Sequence, residues 1–411
     1  MECAVRSRAM EGMTVGTEEP IRWDPYDPVI GKDPYPVYRR LREEAPLYYN
    51  DAHDFYAVSR YEDLDRGLPD WQTFSSARGN ILELIKSGIE IPPGTLIFED
   101  PDAHGIHRRL LTRMFTPRRI GALEPMVRDY CRRTLDPLVG EKGFDLVAAV
   151  GTELPMRVIS ALLGIPDEAQ ESIRDSADKF ITTEDGGQMD FSAGAVMDTE
   201  QLSAYIDWRI KNPSDDLVTE LLTAEFEDEH GVRRTLSRDE VVTYMTVVAG
   251  AGNETTGRLI GWIGSLLAQN PDQRRDLVAD PSLIPNAVEE VLRYEPAGHA
   301  IARAVMTDQE FHGQTVPAGS ALLFIVAAAN RDERRYPDPD RFDVRRKIRH
   351  QMTFGYGIHY CLGAALARLE GRVAMEEILK RFREWEVDWD KANLASTSTV
   401  RGWESLPIIL R

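Results

Sequence analysis

The sequence predicts a mainly α-helical protein with a small β portion. Three observations carry this: most of the chain follows helical periodicity, Ser237 to Asn270 reads as one unbroken helix, and only two regions read as short β runs separated by turns. No stretch reads as a linker, so residues 20–411 are expected to form one large domain behind a disordered tail of residues 1–19.

Taken in order, "DPYPVYRRLREEAP" gives a short helix stopped by Pro46, and "LYYNDAHDFYAVSRYEDL" gives a hairpin leading into a helix. The loop "NILELIKSGIEIPPGTLIF", Asn80 to Phe98, carries more Ile and Leu than an exposed loop should, so it is expected to cover or line an apolar cavity. Glu184 to Asp198 reads as a long loop, either a lid or a plain connection. The second β region is "EFHGQTVPAGSALLFIVAAANRD", with turns at Gly313 and at Pro317 to Gly319.

A formal charge of −19 and a pI near 5.0 argue against the basic face of a nucleic-acid binder. The three cysteines, Cys3, Cys131 and Cys361, are far apart and form no CxxC or CxxCH. This excludes a disulfide scaffold, a structural zinc site, an all-cysteine iron–sulfur cluster and covalent c-type haem attachment. The N-terminal segment has no apolar core and no run of about 18 apolar residues occurs, so neither a signal peptide nor a membrane span is expected and the cytoplasm is the expected compartment.

The long helix opens on the capping box Ser237-x-x-Glu240 and closes before Pro271, a length of roughly 48 Å. Its centre holds Gly250, Gly252 and Gly257, each costing about 1 kcal/mol relative to Ala, and the polar Glu254, Thr255 and Thr256. Back-bonding would satisfy the hydroxyls but would leave the glycines without a reason. The functional reading places something large against Ala251 and Gly252, with Glu254 and Thr255 handling protons.

In "FGYGIHYCLG", Phe354 to Gly363, three glycines surround Cys361, and the following "LGAALARLEGRVAMEEILKRF" puts Leu362, Leu366, Leu369 and Val373 on one helical face. Cys361 therefore stands at a helix N-terminus, where N–H groups and the dipole favour a thiolate. Such a thiolate is either a nucleophile, with His359 as the nearby base, or a metal ligand whose partners come from a cofactor.

The same ten residues match the F-G-x-G-x-H-x-C-x-G haem-binding loop at every fixed position, and the chain on this basis resembles the cytochrome P450 family. The resemblance implies a single triangular domain with haem b between the long distal helix and the thiol helix. In it Cys361 is the axial thiolate and metal ligand, Phe354 packs beside the sulfur and His359 reaches a propionate; electron donation by such a thiolate favours O–O cleavage. "AGNETT" resembles the A-G-x-D/E-T-T motif, which gives Glu254 and Thr255 the delivery of protons to dioxygen. "HGIHR" resembles H-x-x-x-R, with Gly105 and Ile106 where Thr-Arg is usual; it implies His104 and Arg108 as propionate partners, with His107 as a further candidate. Arg303 stands where the family has another propionate-binding arginine, and Glu290-x-x-Arg293 resembles its structural ion-pair network with Arg341 as third member.

By the same resemblance the substrate pocket takes in Ala251, Gly252, Ala297, Gly298 and His299, the last either offering a hydrogen bond to substrate or satisfied in the core. "STSTV", Ser396 to Val400, would turn into that pocket. The implied activity is insertion of one oxygen atom from dioxygen into an apolar small molecule, lipid-, terpenoid- or steroid-like. The implied electron donors are a ferredoxin and its reductase, with no membrane anchor and no nucleic-acid partner. The basic residues Arg331, Arg334, Arg335, Arg341, Arg345, Arg346, Lys347 and Arg349 are either a solvated surface or a dock for an acidic donor. A haem sensor would not need Glu254 and Thr255, a peroxide-driven enzyme usually lacks that pair, and a cysteine hydrolase would survive removal of haem.

Overall fold

A computed structural model describes residues 20–91, 94–166, 187–188, 200–214, 216–396 and 399–411. The tail before Pro20, nearly all of the Glu184 to Asp198 loop, and Thr397 and Ser398 within Ser396 to Val400 lie outside the described residues.

The helix Arg238–Gln269 is the axis of the main core. Its capping box forms as the sequence predicts: Ser237 Oγ accepts the Glu240 N–H at 3.2 Å and Glu240 Oε2 accepts the Ser237 N–H at 2.7 Å. Apolar residues on every side bury it against the helix Glu153–Leu163, the π-helical turn Val147–Gly151, the helix Ala364–Arg381 and the strand Arg401–Ser405. The thiol helix, Ala364–Arg381, packs in turn against Pro117–Leu135 through Leu366, Leu369 and Val373, while Leu362, before its first turn, is half-buried on the same core.

The predicted hairpin, Leu47–Asn50 with Phe55–Val58, opens a five-stranded sheet. The order continues through Ala321–Phe324, Ile301–Val305 and Phe74–Ser75. Leu322 pairs with Tyr56 on one side and with Arg303 on the other, so the register of the central strand fixes the height of Arg303. A second sheet sets Pro407–Leu410 between Trp385–Val387 and Gly143–Asp145.

Three expectations change. The glycines of the long helix answer to protein packing: a Cβ on Gly252 would meet Ile159 Cδ1 at 2.8 Å, and one on Gly257 would meet the Gly151 carbonyl oxygen at 2.6 Å. At these two positions they admit the neighbouring helix and the π-turn. The apolar loop is partly core, with Leu82 and Leu84 buried in the helix Leu82–Ser87 and Leu96 in a short 3-10 turn.

The third change is in the Glu–Arg network. Arg293 makes a two-pronged bond to Glu290 at 2.7 and 2.8 Å with both side chains fully buried, but the third member is Arg346, whose Nε donates to Glu290 Oε1 at 3.1 Å. Arg341 offers its carbonyl to Arg346 and is itself exposed. The chain turns between Asp338 and Arg346, and the turn carries the Asp343 N–H, at 2.9 Å, and the Arg346 guanidinium back onto the Glu290 carboxylate.

Candidate functional site

The long helix and the thiol helix meet where a Cβ on Gly371 would stand 3.0 Å from Leu259 Cδ2. N-terminal to that contact each helix has an open position where burial is the rule. Ala251 and Thr255, one turn apart, are exposed at the centre of the buried long helix, and Cys361 is exposed before the start of the thiol helix. The opening lies in the fork between them.

Cys361 sits two residues before the N-cap Gly363, in a loop whose bends place Gly355 at φ 69° and Gly357 at φ 76°, conformations that favour glycine. The Cys361 N–H donates to the Phe354 carbonyl at 2.8 Å, closing the loop. Protein around the thiol raises its pKa by desolvation, while the N–H groups of Gly363 and Ala364 and the guanidinium groups of Arg108 and Arg368 favour the thiolate. The sulfur stands ahead of a helix start as expected, but burial outweighs the N–H groups and the thiol's pKa is raised. Phe354 is buried, and Arg368 lies over its ring at 4.5 Å from the centroid.

Around this loop the structure gathers His104, Arg108, Arg303 and His359. The rings of His104 and His359 stand 4.4 Å apart, and the Nε2 atoms of both are buried without a hydrogen-bond partner. Arg108 donates to the Tyr360 carbonyl at 2.6 Å. Arg303 is buried, its hydrogen bond goes to the Ala302 carbonyl, and among the described residues no carboxylate pairs with it. Burial pushes Arg303 down to about 10 and, with the charges of Arg303 and Arg108, pushes His359 down to about 3; burial and Arg108 take His104 to about 4. A cluster of buried cations and unpartnered imidazoles without its own anion is half of a binding site for one.

Glu254 and Thr255 face different surroundings. Thr255 Oγ1 donates back to the Ala251 carbonyl at 3.0 Å. Glu254 Oε1 accepts from Arg258 at 2.8 Å, with both side chains nearly buried. Arg258 also reaches Glu404 at 3.5 Å, and a cleft of about 190 Å³ lined by Thr152, Glu254, Arg258, Trp403 and Glu404 borders the pair. The i,i+4 spacing of Glu254 and Arg258 in the sequence is the local signal for this pair.

The small-residue segment is held as a wall. The Ala297 carbonyl accepts the Arg401 N–H at 2.8 Å and Gly298 bridges to Val400. His299 is tied on one side only: its Nδ1 lies 3.3 Å from the Tyr38 hydroxyl and its ring tilts against Tyr35 and Tyr38, while its Nε2 is buried without a hydrogen-bond partner, and burial lowers its pKa well below the usual histidine range. His107, a candidate for the same anion, instead pairs with Glu99 at 2.7 Å. Among the basic residues, Arg331 is buried on Glu295 and Arg346 on Glu290, while Arg334 and Arg345 pair with Asp332 and Asp276. Arg335, Arg341, Lys347 and Arg349 remain exposed.

A thiol loop beneath a long distal helix, beside a buried cationic cradle, defines a haem-thiolate protein. A sequence model of the cytochrome P450 family matches residues 167–400. Cytochrome P450 123 of Mycobacterium tuberculosis is 40% identical over 404 residues, covering 96% of this chain and 99% of that one. A vitamin D(3) 25-hydroxylase of Pseudonocardia autotrophica is 34% identical, covering 97% and 98%. The structure of CYP109Q5 from Chondromyces apiculatus superposes with a TM-score of 0.84 at 34% identity, covering 94% and 98%. The chain belongs to the cytochrome P450 family, a family of haem-dependent monooxygenases with cysteine thiolate ligation.

The residues present fit that cofactor. The unpartnered Nε2 atoms of His104 and His359 and the buried Arg303 suit its propionates, Ala251 and Thr255 are exposed on the long helix, and Cys361 would offer the sulfur. Among the described residues no cluster of His, Cys, Asp and Glu could hold a bare metal ion, and no helix is long and apolar enough to cross a membrane.

Proposed function

We propose that Cys361 is the axial thiolate of haem and that the enzyme takes electrons from a ferredoxin served by its reductase. Its reaction is insertion of one oxygen atom into a bulky apolar substrate, lipid-, terpenoid- or steroid-like, by hydroxylation or epoxidation. The observation that carries this reading is the anion-ready cradle of His104, Arg108, Arg303 and His359 beside a sulfur that meets two helix-start N–H groups.

Haem bound there supplies the activation of dioxygen. The chain's own residues then do three things. Arg303, Arg108, His104 and His359 neutralise the carboxylate edge, since buried carboxylates need paired charges. Thr255 presents a hydroxyl to the open space once it releases the Ala251 carbonyl, and Glu254, held by Arg258 at the edge of the polar cleft, is positioned to bring protons in from that side. Ala251, Ala297 and Gly298 keep the substrate side small and apolar, which suits a bulky molecule, as does kinship with a vitamin D(3) 25-hydroxylase. The exposed Arg335, Arg341, Lys347 and Arg349, close in sequence to the thiol loop, suit an acidic electron donor.

The absorption spectrum of the reduced protein exposed to carbon monoxide tests the ligand. A strongly red-shifted Soret band is expected; a haem band without that shift removes Cys361 as a thiolate ligand, and a protein that takes up no haem overturns the reading.

A further inference from the structure

His107 is the histidine that the cradle does not use. It follows His104 by one turn on the helix Ala103–Thr112 and is 4% exposed. Its Nδ1 stands 2.8 and 2.7 Å from the two oxygens of Glu99, and Tyr244 of the long helix covers it edge-on, the rings 5.5 Å apart. Glu99 also accepts the Gly94 N–H at 2.8 Å.

One carboxylate thus holds two separate parts of the site: the strap that begins at Gly94 and the helix that carries His104 and Arg108. Asp100 extends the same hub, its carboxylate accepting from Ser75 Oγ at 2.5 Å and the Ser76 N–H at 3.1 Å while its carbonyl takes the His104 N–H at 3.1 Å. A buried ionisable pair that merely filled space would be replaceable by apolar residues of similar volume. Here its bonds run to the helix that carries the unpartnered His104 imidazole.

We infer that Glu99 and His107 are positioning residues for the propionate cradle: the dyad sets the seating of the helix bearing His104 and Arg108. The inference rests on the haem-binding reading and assigns a role to the histidine that departs from the motif around it.

The test uses the ferric holoprotein and two readouts besides turnover: the propionate-bending bands in resonance Raman, and the rate of haem transfer to excess apomyoglobin. Glu99→Ala is expected to shift the bands and speed transfer on the order of tenfold, the scale of one lost hydrogen-bonding contact. Glu99→Gln keeps an acceptor for Gly94 and His107 and restores most of both. Leu111→Ala, on the same helix but outside the dyad, serves as the packing control; it lowers the urea midpoint and leaves the bands in place. Glu99→Ala at wild-type values in both readouts, with Arg303→Leu changing them, overturns the inference, as does Leu111→Ala moving the bands equally. If Arg303→Leu also changes nothing, the cradle reading fails and the positioning role falls with it.

Discussion

Glu370 in the thiol helix is fully buried, its Oε2 has no hydrogen-bond partner, and burial pushes its carboxyl up from 4.5 to about 8. The native state therefore carries this proton through neutral pH while the unfolded chain releases it. A carboxyl raised on folding stabilises fully only below the unfolded value, and that contribution falls as pH climbs toward the folded one. At about 1.4 kcal/mol per pH unit, the interval from 4.5 to pH 7 amounts to about 3 kcal/mol of lost stability. Glu370→Gln keeps the shape and removes the proton, so it should abolish this slope. Urea unfolding of the haem-bound protein followed by circular dichroism, from pH 5 to pH 8.5 at half-unit steps, reads it directly. The difference between variant and wild type should widen steadily in the variant's favour up to about pH 8 and then level off. Parallel profiles would refute the reasoning and mean that Glu370 has a partner or water that holds it ionised.

Arg346→Ala leaves part of the buried Glu290 charge uncompensated and should cost about 2–4 kcal/mol in urea unfolding, whereas Arg341→Ala should stay within about 0.5 kcal/mol. Gly257→Ala places a Cβ where the Gly151 carbonyl stands and should cost about 1–3 kcal/mol, visible as a lower urea midpoint. Thr255→Ala should retain haem and substrate binding but separate electron consumption from product formation, measured as reductant oxidised per product formed; unchanged coupling would remove the proton role.

Local signals were legible and long-range ones were not. The capping box at Ser237, the hairpin from Leu47 and the bends of the thiol loop depend on residues a few positions apart, so spacing predicts them. The choice of Arg346 over Arg341 depends on how the turn beyond Pro337 returns to a helix some fifty residues earlier, which no local pattern encodes. The glycines of the long helix were the misleading case: a residue with no side chain signals close approach without saying by what, and the neighbours proved to be Ile159 and the Gly151 backbone. His299 shows the same limit, because Tyr38, beside its Nδ1, stands in a helix 261 residues earlier in the chain.

Arg401 binds the carbonyls of Gly31 and Lys32 at 2.8 and 2.7 Å and the carboxylate of Glu295 at 2.6 Å. Its partners at the beginning of the chain are made long before it is. During synthesis Tyr35 and the Glu295 carboxylate it bonds can emerge from the ribosome while the guanidinium that completes their surroundings is still untranslated. The segment around Gly31 and Lys32 therefore cannot take its final seat until Arg401 has been made, and a chain truncated before Arg401 leaves that flank unsealed for proteases to find.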